Sequence, residues 1–366
     1  MADDTAGFIE KYIRPDLKLV GGYGAHQSPD TLTESARLDI VKLDANENPY
    51  GCSPEVTKIL GEYRGWHIYP DAAQWRLREK LAKYIGVPAE CLVASTGSGE
   101  LLNDILTLFL QAGDELINFT PTFDLYRLRT LINGGKLVNI SRRDDFSADI
   151  SAALAAVNSK TRMIVLCNPN NPTGNVTPSE EIIALLETGL PVLIDEAYYE
   201  FCGQTVVELM PKYPNLMVLR TFSKWAGLAG IRIGYGIFNP AIAAYLMKIK
   251  LPYNLSVPAA IAAEVSLDDA PRLMKNVQAI ISERKRFLGE LKSMEWLETF
   301  PSGANYLLCR ILWGSAKNLY DRLLERGIIV RCFTQPELER CFRVSVGTPE
   351  QNNRFMEELK KLEAVL

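Results

Sequence analysis

Three stretches of this chain follow an apolar run with residues able to do chemistry. "RMIVLC" (162–167) leads into "NPNNPTG", which holds Asn171; "PVLID" (191–195) closes on Asp195, followed by Glu196, Ala197 and Tyr198; "LMVLR" (216–220) runs into "TFSK", with Thr221, Ser223 and Lys224. Brought into one crevice, an amine, a carboxylate, an amide and a phenol could bond covalently to a carbonyl carbon, hold a ring nitrogen protonated and bind an oxyanion. Each also has a plainer reading. Asn-Pro and Thr-Gly pairs form turns, Asp195 could cap a helix, and Lys224 could be a solvated surface side chain. With only two histidines, His26 and His67, the chain offers little to His-dependent triads or His-rich metal sites. Proton transfer must fall to lysine, carboxylates, tyrosines or a cofactor.

The elements around these residues bring them together. From about residue 50 to 250, short apolar β-type runs alternate with helical patterns, the signature of a doubly wound, mainly parallel sheet. Helices are predicted at 71–86, 99–113 and 178–189, and strands at 115–119, 162–167, 191–195 and 216–220. The helix at 178–189 carries the plainest boundary signals: Thr177 as N-cap, Pro178 at the first helical position, Glu180 as the capping-box acid and Gly189 past the end. Loops leaving the carboxyl ends of neighbouring parallel strands share one crevice, which is where open α/β sheets bind ligands. Beyond about residue 255 the texture changes to long charged helices and three strand-like runs, "ANYLLCRI", "GIIVRCF" and "CFRVSVG". The expected organisation is therefore an arm over 1–43 that joins a small α+β domain at 253–366, with a large ligand-binding domain at 44–252 between them.

Composition narrows the partners. The chain has 366 residues, 47% of them apolar and 23% charged, with a formal net charge of -4, so it is long enough for a large core and has no basic field to attract nucleic acid or an anionic membrane. No apolar run reaches the roughly 18 residues of a membrane span, and the acidic start lacks a signal-like stretch. Seven scattered cysteines without a CxxC pair suit reduced thiols, and a cytoplasmic location is the expectation.

The strand-end set matches what pyridoxal phosphate requires. A lysine amine, here Lys224, condenses with the cofactor's aldehyde; a carboxylate, Asp195, keeps the pyridine nitrogen protonated; an amide and a phenol, Asn171 and Tyr198, suit the ring's 3-oxygen. In "STGSGELLND" (95–104), Gly97, Ser98 and Gly99 open an apolar-periodic helix whose free N–H groups and dipole favour a phosphate dianion. The same Gly-Ser-Gly run also reads as a tight turn. Ser223 and Arg232 flank Lys224 and could complete the cradle. Phe123, in "PTFDLY", could stack on the ring or be a core aromatic.

Together these motifs resemble the fold-type I pyridoxal phosphate enzymes of the aspartate aminotransferase fold, and more narrowly the histidinol-phosphate aminotransferase branch. The resemblance spans nearly the whole chain: "KLDANENPYGCSP", "YPDAAQWRLREKLA", "GSGELL", "PTFDLY", "NPNNPTG", "IDEAYYEF", "TFSKWAGLAGIRIGYG", "PSGANYLLCR", "GIIVRCF" and "FRVSVGT". It implies a large domain with a mainly parallel seven-stranded sheet plus a smaller α+β domain. It makes Lys224 the Schiff-base lysine, Asp195 the partner of the pyridine nitrogen, and Asn171 and Tyr198 the partners of the 3-oxygen. Ser98, Gly99, Thr221, Ser223 and Arg232 become the phosphate set, and Phe123 the stacking aromatic. Tyr69 matches a tyrosine that such dimers lend to the neighbour's phosphate group. Arg343 and Arg331 match a pair that grips a substrate carboxylate or phosphate. Two positions depart from the pattern. Gly99 stands where the family has an acid, and the Pro-Tyr of the histidinol-phosphate branch is Gly22-Tyr23 here, with Tyr23 as a substrate contact.

The resemblance implies a homodimeric aminotransferase in which Lys224 carries protons as general base and acid. Its amino donor and acceptor pair would be glutamate and 2-oxoglutarate, with histidinol phosphate as the other substrate. An aromatic aminotransferase, a phosphothreonine-decarboxylase-like enzyme and a non-enzymatic ligand sensor are the alternatives.

Overall fold

The structure, a computed structural model, describes residues 8–19 and 40–363. Among the described residues thirteen strands fall into three sheets. The largest sheet comprises β2 (Leu92–Ser95), β3 (Glu115–Thr120), β4 (Lys136–Ser141), β5 (Thr161–Cys167), β6 (Val192–Asp195), β7 (Leu216–Thr221) and β8 (Gly234–Ile237). Its order is β2-β8-β7-β6-β5-β3-β4, and all pairs are parallel except those made by β8, which runs antiparallel to both β7 and β2. The mainly parallel seven-stranded sheet implied by the resemblance is therefore present.

Strand side chains alternate between two packed faces, as the two-residue period requires. Ile164, Leu166, Val192, Ile194, Leu216 and Val218 join one apolar cluster. Met163, Val165, Cys167, Leu193, Met217 and Leu219 join another. The first face is covered by helices that include Trp75–Ile85, Ser179–Leu186 and Val257–Asp268, and the second by Ser98–Phe109, Leu125–Ile132 and Pro240–Ile249. Burial on both faces explains why these strands read as unbroken apolar runs.

A smaller antiparallel sheet is ordered β12-β13-β10-β9, from β9 (Leu297–Thr299), β10 (Tyr306–Ile311), β12 (Arg331–Cys332) and β13 (Cys341–Ser345). Beside it β1 (Val41–Lys42) pairs in parallel with β11 (Ile328–Ile329). The long helix Ala270–Lys292 bridges the two units: Leu273, Val277 and Ile280 sit in the large core, whereas Phe287 and Leu291 sit in the small one. Among the described residues no helix is long and apolar enough to cross a membrane.

Helix starts differ from the sequence expectation by a few residues, for visible reasons. The helix predicted from residue 71 begins at Trp75, because Gln74 is left-handed (φ 55°) and the Asp71 carboxylate accepts the N–H groups of Ala73 (2.9 Å) and Trp75 (2.7 Å). The helix after β5 starts at Ser179 with Pro178 at the cap position. Thr177 is engaged elsewhere; its N–H donates to Asn168 Oδ1 at 2.7 Å.

Candidate active site

Asp195 ends β6 opposite Cys167 on β5 and Leu219 on β7, so it lies on the sheet's carboxyl edge between the loops that carry Asn171 and Lys224. Its carboxylate is buried, and it accepts the Tyr126 hydroxyl at 2.6 Å and the Ala197 N–H at 3.1 Å. Burial pushes the Asp195 carboxyl above its ordinary range, and those two donors pull against it. Among the described residues no lysine, arginine or histidine forms an ion pair with it. The adjacent Glu196 is held by Arg220 at 2.8 Å, with both side chains buried. A buried carboxylate that lacks a cation suits a positively charged ring nitrogen.

Lys224 follows β7 and is half-buried, its Nζ donating to the Ala45 carbonyl at 3.0 Å and lying 5.9 Å from the Tyr198 ring centre. Burial, reinforced by the positive charges of Arg343, Arg232 and Lys42 against the opposing Glu47, lowers its pKa to about 7. The amine can therefore exist in both protonation states near neutral pH, as a nucleophile and proton carrier must.

The segment Asp44–Asn46 crosses the crevice and touches three of the sequence-predicted residues at once. The Asp44 carbonyl accepts from the Arg343 guanidinium, the Ala45 carbonyl accepts from Lys224, and Asn46 Nδ2 donates to the Tyr198 hydroxyl at 2.9 Å. Asn46 adopts a left-handed conformation (φ 54°), which asparagine tolerates better than most residues. Asn171 Oδ1 accepts from Arg343 Nη1 at 2.6 Å, leaving its amide N–H groups as the donors it can offer a ligand. Burial raises the Tyr198 phenol's pKa, so it stays protonated at neutral pH.

A second cluster forms an anion cradle beside this one. Ser98 opens the helix Ser98–Phe109 after Gly97, and Gly234, at the start of β8, pairs with both Ser95 and Thr221. A Cβ on Gly234 would stand 2.4 Å from the Ser98 nitrogen, and one on Gly97 would stand 2.6 Å from Arg232 Nη2. The guanidinium could move aside for the second, but at Gly234 the clash is with backbone and only glycine keeps the space clear. The Thr221 hydroxyl donates to Ser223 Oγ at 2.9 Å and accepts the Ser223 N–H at 3.1 Å, which turns the chain toward Lys224. Hydroxyls, a helix N-terminus and an arginine together suit a phosphate dianion, and Gly99 serves there through its backbone.

Phe123 packs edge-on to Tyr126, with centroids 5.7 Å apart, and lines a cavity of about 260 Å³ together with Asn171, Arg331 and Arg343. Tyr69 stands apart from this crevice: it is 77% exposed and stacks on Tyr253 at 4.6 Å. Tyr23 lies outside the described residues. Tyr126, Asn46 and the Ala45 carbonyl went unassigned in the sequence. "DANEN" carried the only available signal, an asparagine-rich turn ahead of proline; nothing in "PTFDLY" indicated that its tyrosine reaches Asp195, 69 positions away.

Residues 38–359 match the family model for aminotransferase class I and II. A histidinol-phosphate aminotransferase of Dehalococcoides mccartyi is 45% identical over 354 residues, covering 97% of this chain and 98% of that protein. One of Roseiflexus castenholzii is 40% identical and covers 97% and 99% of the two chains. The crystal structure of the Sinorhizobium meliloti histidinol-phosphate aminotransferase in complex with pyridoxal-5'-phosphate superposes with a TM-score of 0.87 at 27% identity, covering 96% of this chain and 98% of that one.

Proposed function

Because the chain belongs to the class I and II aminotransferases, we propose that it is a pyridoxal phosphate-dependent enzyme that transfers an amino group between L-histidinol phosphate and 2-oxoglutarate, a step of histidine biosynthesis. The observation that carries the substrate reading is the pair Arg331 and Arg343, opposite one another on β12 and β13 and facing one cavity with Asn171. Two guanidinium groups side by side suit a phosphate or carboxylate.

When bound, pyridoxal phosphate supplies an aldehyde for amines and a ring that takes up the electron pair released at the substrate's α carbon. The protein's own residues do the rest. Lys224 Nζ holds or yields a proton near neutral pH, Asp195 would pair its carboxylate with the ring nitrogen, and Tyr198 and Asn171 would offer donors to the 3-oxygen. Ser98, Gly99, Thr221, Ser223 and Arg232 would hold the phosphate, Phe123 would pack against the ring, and Arg343 with Arg331 would orient the substrate. Tyr23 belongs to the same proposal as a substrate contact.

The proposal extends to assembly. The exposed aromatic face bearing Trp66, Tyr69 and Tyr253 supports a homodimer in which Tyr69 reaches the neighbour's phosphate site. Seven free thiols support a cytoplasmic setting. An arm over 1–43, a large domain over 44–252 and a small domain over 253–366 remain the proposed division.

Steady-state assays with histidinol phosphate, phenylalanine and phosphothreonine as substrates test the reading. The expected result is glutamate formation from 2-oxoglutarate with the highest kcat/KM for histidinol phosphate. Preference for phenylalanine, or carbon dioxide release from phosphothreonine, would replace it.

A further inference from the structure

We propose that Asn46 acts as a positioning residue that fixes the Tyr198 hydroxyl as a hydrogen-bond donor into the cofactor site, through a directional chain that starts on the small sheet at Ser345. The inference rests on the reading of Tyr198 as the partner of the cofactor's 3-oxygen.

The structure gives each bond in the chain a direction. Ser345 Oγ, on β13, accepts the Asn46 N–H at 2.8 Å and sends its own proton to Asn46 Oδ1 at 3.3 Å. With Oδ1 turned to Ser345, the Nδ2 end of the amide meets Tyr198, at 2.9 Å. The Asn46 backbone is locked as well, because its carbonyl accepts Asn305 Nδ2 at 3.0 Å and the residue is only 1% exposed. A phenol has one proton to give. With Asn46 donating to its oxygen, Tyr198 must send that proton elsewhere, and among the described residues its hydroxyl has no acceptor. The ring is also held, edge-on to Tyr306 with centroids 5.1 Å apart and with Lys224 Nζ 5.9 Å from its centre, which leaves the proton to the crevice.

Donation from Tyr198 would stabilise negative charge on the 3-oxygen and so lower the pKa of the lysine-bound cofactor. Asn46→Asp keeps the side-chain shape but replaces the donor with an acceptor. It would draw the Tyr198 proton away from the site. Ser345 lies two residues from Arg343 on the same strand, so the chain also links the substrate-gripping sheet to the tuning of the cofactor.

The test titrates the visible absorbance of the cofactor-loaded enzyme against pH in wild type, Asn46→Asp, Tyr198→Phe and the double variant, with circular dichroism confirming that each is folded. The expected result is that each single variant raises the apparent pKa by about one unit, a tenfold change in proton affinity, and that Asn46→Asp adds nothing in the Tyr198→Phe background. An unshifted pKa in Asn46→Asp, or an undiminished further shift in the double variant, overturns the chain. An unshifted Tyr198→Phe overturns it by a separate route, because the reading of Tyr198 itself then fails. Should Asn46→Asp not fold, Asn46→Gly suits the left-handed backbone while removing the amide. It is expected to move the pKa in the same direction by less, and no shift would overturn the chain.

Discussion

Arg331 and Arg343 stand directly opposite one another across the antiparallel β12–β13 pair, so their side chains leave the same face of the small sheet. Like charges opposed in this way disfavour one another, and an anion between them relieves the repulsion. Arg343 also holds Asn171 at 2.6 Å and the Asp44 carbonyl, so its loss reaches the whole site. Arg331→Ala is expected to lower kcat/KM for histidinol phosphate by roughly 10- to 100-fold, the worth of one charge-assisted contact, and to spare dephosphorylated histidinol. Arg343→Ala should depress both donors. Steady-state kinetics on the two donors check this, and an equal loss for both with Arg331→Ala would contradict the assignment.

Lys224 makes cofactor-free protein pH-sensitive in a defined direction. Its pKa is about 7 in the folded chain against an ordinary value near 10.5, so between those values the unfolded chain binds more protons and stability rises with pH. Above this window the lysine is neutral in both states; below it the charged form bears its full burial penalty. Lys224→Met should therefore melt higher than wild type at pH 7, with the gap closing as pH approaches 10.5. Thermal melts of both cofactor-free proteins across that range decide it. A gap that widens with rising pH would reverse the sign.

The parts of the site that were legible in the sequence are those carried by local pattern. Asn171, Asp195 and Lys224 follow apolar runs, and parallel strands deliver such ends to one edge, so their convergence needed only the βα alternation. Tyr126 and Asn46 were not legible as site residues because their roles come from hydrogen bonds to partners 69 and 152 positions away. The same holds at helix starts, where Asp71 and Asn168 bind backbone groups that a pattern of polar residues does not reveal.

Asp195→Asn should separate stability from cofactor binding. The native carboxylate is buried with no cation paired to it among the described residues, so exchanging it for a neutral amide removes a charge that burial disfavours. Cofactor-free Asp195→Asn is expected to melt no lower than wild type, yet to release pyridoxal phosphate at least tenfold more readily in equilibrium dialysis. A variant that retained cofactor normally would remove Asp195 from the ring-nitrogen role.

Gly234→Ala tests the anion cradle without touching any polar side chain. The new methyl would meet the Ser98 backbone nitrogen at 2.4 Å, and the first helical turn must shift to accept it. Cofactor affinity, read from fluorescence quenching, should fall at least tenfold, and the same titration with inorganic phosphate as competitor should show weaker competition. Unchanged affinity for both would move the phosphate site elsewhere.

The most direct test of the central claim is to load the purified protein with pyridoxal phosphate, reduce it with borohydride, digest it and locate the modified lysine by mass spectrometry. The expected result is one pyridoxyl-phosphate adduct per chain, on the peptide that contains Lys224, and none in Lys224→Ala. An adduct spread over other lysines, or persisting in Lys224→Ala, would contradict the claim that Lys224 is the residue around which this crevice is built.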